Sequence, residues 1–533
     1  KAGRLVHLFW LVLMLVRSNF KSMVRSMEKS IYTTNTVAIF TTPERSCLPT
    51  ISNPVPIILQ SIQNHHHTGT LCGLWNFALI NHLMSSHPFL SLIGNPAWEN
   101  LTPEHIREDI TLALENAEAN LQQIRDLNPE EINFRNTVKA LENASYGLYY
   151  AWGLVTHLDS VCNSAELREV HNEMLPAVSA FGAKITLDAE LWKALQIFAE
   201  SDSASSLEPI DRRLLEETLL DFKEAGADLP DEKRHRLEQI SQELAQVTQK
   251  FSEQVLDATN EWKLVVREEE RLKGLPETAR EAARQSAIEK LGEEEGKDAW
   301  VFTLHTPSML PVLQYLEDDE IRKEVWSASD NLCVKAPYEN EPLIRQILKL
   351  RQEKAEILGK ENFADAVLAR RMAKNGEKAD QFVSELRDKT IPFFQQENLE
   401  LEEFKAEKTG MPVDGLQPWE VGFWSEKLKK ERYDFDDEDL RPYFPIQSVL
   451  KGMFELATRI FGLTIKEQPT QFQGKTIDNG LSTDALPQSV WHEEVRFYDL
   501  IDSQSGKHLG SFYADWHPRS SKRAGAWMNY FKT

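Results

Sequence analysis

His492-Glu493 is the place in this sequence where hydrolytic chemistry could begin. Two imidazoles one helical turn apart, with a glutamate between them, hold a metal ion and let the carboxylate activate a water. Here the run continues Glu494-Val495-Arg496, so arginine stands where the second histidine is needed. The residues that follow alternate like a strand, which is the wrong element for that spacing. No H-E-x-x-H occurs in the 533 residues, nor a G-x-S-x-G elbow, a Walker A loop or a G-x-G-x-x-G fingerprint. His65-His66-His67 cannot all face one ion and has no carboxylate beside it, so it reads as a polar loop. Cys47, Cys72, Cys162 and Cys333 are far apart and form no C-x-x-C pair, which points to free thiols in a reducing compartment. His157 lies among bulky apolar residues and reads as a hydrogen-bonded structural histidine. The residues themselves therefore nominate no catalytic group and no metal ligand.

Chemistry of another kind is legible between Trp491 and Met528. Val495–Ile501 and Leu509–Trp516 are β-type runs separated by the polar turn Asp502-Ser503-Gln504-Ser505-Gly506, which predicts a hairpin. A polar loop leads to Ala524-Gly525-Ala526-Trp527-Met528. An edge strand can hold an extended peptide through main-chain hydrogen bonds, and small residues let the peptide backbone approach. Gly525, Ala526 and Trp527 are therefore the candidate substrate-binding residues. The competing reading is that Gly525 and Ala526 permit tight packing and Trp527 is core.

The elements before this region read as helix. Thr102 caps a helix opened by Pro103, with Ile106, Ile110, Leu114, Ala117, Leu121 and Ile124 on one face and Pro129 as its stop. A second helical stretch carries Trp152 to Arg168. After Pro230, with Asp231 as cap, Leu237, Ile240, Leu244, Val247, Phe251, Val255, Ala258 and Trp262 make one long apolar stripe. It packs within the protein or against a coiled-coil partner. Asp257 and Thr259 beside it read as packing or capping groups. Residues 263–300 read as charged, solvated helix. Pro307 and Pro311 should break the chain near Leu310, and Pro392 should interrupt a later helix. A helix over 446–464 ends at Gly462, and Gly474–Ser482 reads as a surface insertion.

The composition is that of an ordinary protein with a substantial core, 41% apolar and 27% charged. A net charge of −23 argues against a nucleic-acid partner. Residues 1–85 differ: seven Lys and Arg stand against Glu28 and Glu44 alone, and no charged residue occurs from Ile51 to Ser85. The apolar run Leu8–Val16 is too short for a bilayer, which takes about 20 residues. It has the size of a signal-peptide core, and the Ser/Thr-rich stretch after Met23 has the tone of a transit peptide. Residues 1–85 are thus expected to be unrelated to the folded body: targeting-like, disordered or a gene-model artefact.

Gly510-Ser511-Phe512-Tyr513-Ala514-Asp515, followed by Arg519, Lys522, Arg523 and Gly525-Ala526-Trp527-Met528, resembles the oligopeptidase A and thimet oligopeptidase family of zinc metallopeptidases. Further matches follow in family order. They are Trp152…His157-Leu158…Val161…Asn163-Ser164…Glu166-Leu167-Arg168, Val255-Leu256-Asp257-Ala258-Thr259, Leu350 to Ala364, and Leu440-Arg441-Pro442-Tyr443-Phe444-Pro445. Pro418-Trp419-Glu420 with Phe423-Trp424 departs from the family's P-W-D-x-x-Y-Y and loses two hydroxyls. The resemblance covers residues 88–528, about the first two-thirds of a member. It implies a mainly α, multi-helix, two-lobed, channel-forming fold with a small β-sheet beginning near the C-terminus. The body is expected over 86–490 and the start of the β/catalytic region over 491–533.

The same resemblance implies zinc-dependent hydrolysis of short peptides by a cytoplasmic metalloendopeptidase. It is expected to be monomeric, with no nucleic-acid partner and no stable membrane span. In the family the H-E-x-x-H helix follows this segment, so the chain is expected to be truncated before it, to bind no catalytic zinc and to be inactive alone. The alternative is a non-catalytic peptide-binding or helical interaction protein derived from that family.

Overall fold

The structure is a computed structural model that describes residues 86–434, 436–477 and 486–532, and the backbone of residues 37–41. Leu8–Val16, Met23, Cys47, His65–His67, Cys72 and the end of the expected insertion beyond residue 477 lie outside the described residues.

In chain order, strand β1 is Val37–Thr41 and helix α1 is Pro103–Arg125. Thr102 caps α1 in extended conformation with Pro103 behind it, as the sequence predicts, and Ile106, Ile110, Ala117, Leu121 and Ile124 are buried. The stretch expected as one helix over Trp152–Arg168 is two, α2 (Tyr146–Val161) and α3 (Ala165–Leu187). Ser164 is the reason. Its hydroxyl accepts from the Leu167 N–H at 3.2 Å and starts a new helix, which competes with continuation of the old one. Helices α4 (Ala189–Ala199) and α5 (Pro209–Ala225) follow, the latter stopped by Gly226 in left-handed conformation. Helix α6 is Asp231–Glu261. Asp231 is its first helical residue rather than its cap, because the Pro230 carbonyl already accepts from Lys233 and Arg234. Every member of the Leu237–Trp262 stripe is buried or half-buried.

Residues 263–300 are helical and charged through the middle, as expected, but their ends are strands. Strands β2 (Lys263–Val266) and β3 (Trp300–Thr303) pair antiparallel across helix α7 (Glu277–Leu291). Their Val and aromatic residues suit a pleated buried surface, and β3 is buried along its whole length. Helix α8 (Thr306–Tyr315) runs through both prolines. Pro307 lies in the first turn, where no N–H is needed, and the bond lost at Pro311 is a single one. Next come α9 (Asp319–Asp330), α10 (Glu341–Ile357) and α11 (Phe363–Leu368), then α12 (Gly376–Thr409), continuous through Pro392. Helix α13 (Pro418–Tyr433) opens with a capping box of Gln417 and Glu420. The departure from the family's aromatic pair is absorbed here: Phe423 and Trp424 are buried against Leu401 and Phe404. Helix α14 (Ile446–Phe461) stops at Gly462, where φ is +66°, as expected.

The remaining strands are β4 (Leu463–Gln468), β5 (Thr470–Phe472), β6 (Lys475–Ile477), β7 (Gln488–Ser489), β8 (Arg496–Asp502), β9 (His508–Asp515) and β10 (Trp527–Lys532). The predicted hairpin is β8–β9. Its turn is held by the Asp502 carboxylate, which accepts from the N–H groups of Gln504 and Ser505 and from the Ser505 hydroxyl. The larger sheet has the order β10-β1-β9-β8-β4. β1 is antiparallel to β9 and parallel to β10. Residues 37–41 thus form a strand of this sheet within the segment expected to be foreign to the body. A smaller sheet has the order β6-β5-β7. The fold is mainly α with small sheets near the C-terminus.

The chain divides into two compact units. One comprises residues 37–41, 86–246 and 454–532, the other 247–453. The core of the first is built on α1 to α5 together with Val490, Trp491, Val495, Phe497, Tyr513 and Phe531. A core of the second gathers Val266, Leu272, Trp300, Phe302, Val312, Leu316, Ile321 and Val325.

Leu154, fully buried on α2, tests the first core. Leu154→Ala is expected to lower unfolding free energy by about 2–5 kcal/mol, measured by urea denaturation.

Candidate functional site

The connection from β9 to β10 is organised by Asp515, the last residue of β9. Its side chain and that of Lys522 are both 0% exposed. The Arg519 guanidinium closes on the carboxylate as a fork at 2.7 and 2.7 Å. The Lys522 ammonium donates to Asp515 Oδ1 at 3.1 Å, to the Asp515 carbonyl at 2.9 Å and to the His517 carbonyl at 3.0 Å. The Trp491 indole N–H adds a bond to Asp515 Oδ2 at 3.0 Å. Burial pushes the Asp515 carboxyl up, but the Arg519 hydrogen bond and the charges of Lys522 and Arg519 outweigh it and hold the group below its usual range. Burial lowers the Lys522 ammonium more than Asp515 restores it.

Two cations against one carboxylate leave a surplus positive charge. It is met at the C-terminus of α2, where carbonyls lack helical partners and the dipole is negative. Arg519 donates to the Val161 carbonyl at 3.1 Å. The Arg523 N–H reaches the Ser160 carbonyl at 2.9 Å, and the Asn163 N–H reaches Ser521 at 2.9 Å. The loop is thereby tied to the break between α2 and α3.

His157 on α2 lies beside this cluster, fully buried. Trp491, Phe531 and Trp98 present edge-on rings to it at 4.5, 5.1 and 5.3 Å between centroids. Burial drives its pKa down to about 3, with Asp515 opposing and Lys522 and Arg519 reinforcing the shift. A neutral imidazole walled by aromatic rings is a core group, as expected, but not the fully hydrogen-bonded one that expectation described: Nδ1 lies 3.5 Å from the Asn529 side-chain nitrogen, and Nε2 has no partner among the described residues. Burial likewise pushes the Cys162 thiol up to about 12, which disfavours the thiolate.

Downstream of the cluster, Gly525 has φ +105°, a conformation that favours glycine, and a Cβ placed there meets nothing within 4 Å. Gly525 and Ala526 are exposed. That removes tight packing as the reason for their small size. Trp527 opens β10, half-buried against the first core, with the Arg523 guanidinium 5.2 Å from its ring centre. β10 is an outer strand of the five-stranded sheet. The three candidate residues thus lead from an open backbone corner onto a sheet edge.

His492 lies in a turn before β8, with Nδ1 3.8 Å from Glu494, so the partial motif is not helical. Among the described residues no group of three or more His, Cys, Asp or Glu side chains is placed to hold a metal ion. Among the described residues no helix is long and apolar enough to cross a membrane. The Asp515–Arg519–Lys522 cluster is what residue-by-residue reading missed. Its signal was one acid followed within seven residues by two cations, Arg519 and Lys522, in a polar loop.

Residues 105–234 match the Neurolysin/Thimet oligopeptidase N-terminal domain, and residues 312–533, which include this cluster and β10, match Peptidase family M3. The chain belongs to peptidase family M3. It is 34% identical over 449 residues to oligopeptidase A of Haemophilus influenzae, a match covering 83% of this chain and 62% of that protein. Oligopeptidase A of Escherichia coli matches at 34% with the same coverage. The organellar oligopeptidase A, chloroplastic/mitochondrial, of Arabidopsis thaliana matches at 33%, over 84% of this chain and 54% of its own length. The chain therefore spans less than two-thirds of the length of these family relatives.

Two measurements check the cluster. Asp515→Asn strands two buried cations and is expected to cost about 3–5 kcal/mol in chemical denaturation, with part regained in the Asp515→Asn/Lys522→Met double variant. His157 remains neutral when folded but takes a proton below about 6.5 when unfolded. The unfolded state then binds the extra proton, so stability falls as pH drops from about 6.5 toward 3. The slope is at most about 1.4 kcal/mol per pH unit, and His157→Gln is expected to flatten it.

Proposed function

We propose that this chain is the peptide-handling part of a cytoplasmic zinc oligopeptidase, and that a short peptide lies extended along the β10 edge past Gly525, Ala526 and Trp527. The observation that carries this reading is the corner before β10. Glycine is held at φ +105° with open space where a side chain would be, followed by an exposed alanine and a strand at the sheet edge. Main-chain groups at such an edge bind extended peptides with little regard to their side chains, which suits an enzyme acting on varied short peptides. The family membership and the oligopeptidase A relatives support the substrate class.

Zinc, in this reading, supplies the Lewis acid and the activated water in the whole enzyme. These 533 residues contain no H-E-x-x-H, so the chain by itself is proposed to bind peptides without cleaving them, as a monomer.

Fluorescence anisotropy with a labelled short peptide tests both parts. Binding in the micromolar range is expected, weakened about tenfold (~1.4 kcal/mol) by Gly525→Val and unchanged by Lys466→Val on the opposite edge strand β4. Addition of zinc is expected to give no peptide cleavage by mass spectrometry. Cleavage overturns the inactivity, and binding indifferent to Gly525→Val overturns the β10 site.

A further inference from the structure

Strands β9 and β10 are joined by residues 516–526 and run antiparallel, yet they do not pair with each other. Residues 37–41 stand between them as β1, antiparallel to β9 and parallel to β10. Val37 is flanked by Asp515 and Trp527, Ile39 by Tyr513 and Asn529, and Phe40 by Phe512 and Tyr530. A strand so placed bonds to both neighbours through its main chain.

Both walls of this slot are held by contacts that β1 does not supply. β9 is paired with β8, and the buried Tyr513 ring lies 4.7 Å from that of Phe497 and 5.2 Å from that of Trp491. β10 is fastened to the helical core by Phe531, whose ring lies 5.1 Å from that of His157 and 5.2 Å from that of Trp98. The Lys532 ammonium donates to the Leu92 carbonyl at 2.7 Å and also to the Gly94 carbonyl. The Asp515 cluster fixes the connection between the walls. Two anchored strands one strand's width apart make a preformed acceptor for an extended chain. The strand that fills it is five residues long. Its register with β10 slips between Phe40 and Thr41, and parallel pairing is the less stable kind per residue.

We infer that the β9–β10 slot is a binding site for an extended peptide segment, which enters in place of residues 37–41. The segment it fits is uncharged and free of proline over the length of β1. Gly510–Asp515 of β9 are buried, so a charge beside them would lose its water, and a proline would deprive the ladder of a donor. Val37-Ala38-Ile39-Phe40-Thr41 meets that description. The slot uses the edge of β10 that faces β9, so it stands or falls separately from the outer edge proposed above.

The test follows a fluorescently labelled peptide, Thr36-Val37-Ala38-Ile39-Phe40-Thr41-Thr42, by anisotropy over hours against the 533-residue chain and its Ile39→Pro variant. Proline in a central strand removes a ladder hydrogen bond, so the variant's own segment competes less. Slow binding to the unsubstituted chain is expected, with at least tenfold tighter binding to Ile39→Pro. A peptide with proline at the Ile39 position, or aspartate at the Ala38 position, is expected not to bind either chain. Hydrogen exchange is expected to show residues 511–515 and 528–531 losing protection in Ile39→Pro and regaining it with peptide. Exchange of peptide into the unsubstituted chain, and its loss with the proline peptide, are read independently of whether the variant folds. Absence of binding to both chains overturns the inference. Binding that a folded Ile39→Pro leaves unchanged overturns it too, and assigns the peptide to the outer β10 edge.

Discussion

The buried carboxylate of Asp515 is the constraint on which the C-terminal sheet of this protein depends. A charge removed from water on all sides is tolerable only with partners at hydrogen-bonding distance. Asp515 has a guanidinium fork, an ammonium and an indole N–H. Those partners come from its own downstream loop and from the residue that precedes the hairpin. Satisfying one carboxylate therefore folds residues 515–522 onto themselves and fastens Trp491 beneath β9. The excess positive charge then needs the carbonyl end of α2, which selects where the loop can sit.

That selection explains why the small sheet and the helical core of the first unit are one structure. Ser164 ends one helical segment and begins another, and the gap it leaves accepts the loop through Asn163, Val161 and Ser160. Beside it, His157 is neutral because its surroundings are aromatic rings and because the neighbouring cations disfavour a further proton. With the loop anchored, the chain leaves Arg523 at a fixed point. It turns through Gly525 in a conformation that favours glycine and enters β10 at Trp527. The exposed corner is thus a product of the buried ion cluster, and membership in a peptidase family gives that corner its functional interest.

The second unit shows a different balance. Its long helix α12 tolerates an internal proline and carries an apolar face much longer than its partner α13 covers. Glu420, where the family pattern has aspartate, closes the α13 capping box with Gln417 and also pairs with Lys405 at 3.0 Å. Phe423 and Trp424, in place of tyrosines, lie in apolar contact. The Phe423 ring also faces the Arg322 guanidinium at 4.1 Å and the Lys427 ammonium at 4.7 Å, contacts that an aromatic face makes without a hydroxyl.

Local chemistry was enough to read several elements from the sequence. The Thr102-Pro103 helix start, the α6 stripe, the Gly462 stop and the β8–β9 hairpin each rest on a capping residue, a periodicity or a turn within one segment. The order of family motifs along the chain pointed to the fold class. What failed were inferences in which a local signal competes with packing. Pro311 and Pro392 cost one helical hydrogen bond each, and both helices continue through the loss. The short runs at 263–266 and 300–303 carry no helix or strand identity until they pair. Gly525 and Ala526 could be named from sequence. Whether their smallness served packing or openness could not, because that depends on what lies opposite, and only the tertiary structure places open space there. The Asp515 cluster belongs to the same class: its charges are visible in the sequence, but their burial is a property of the fold.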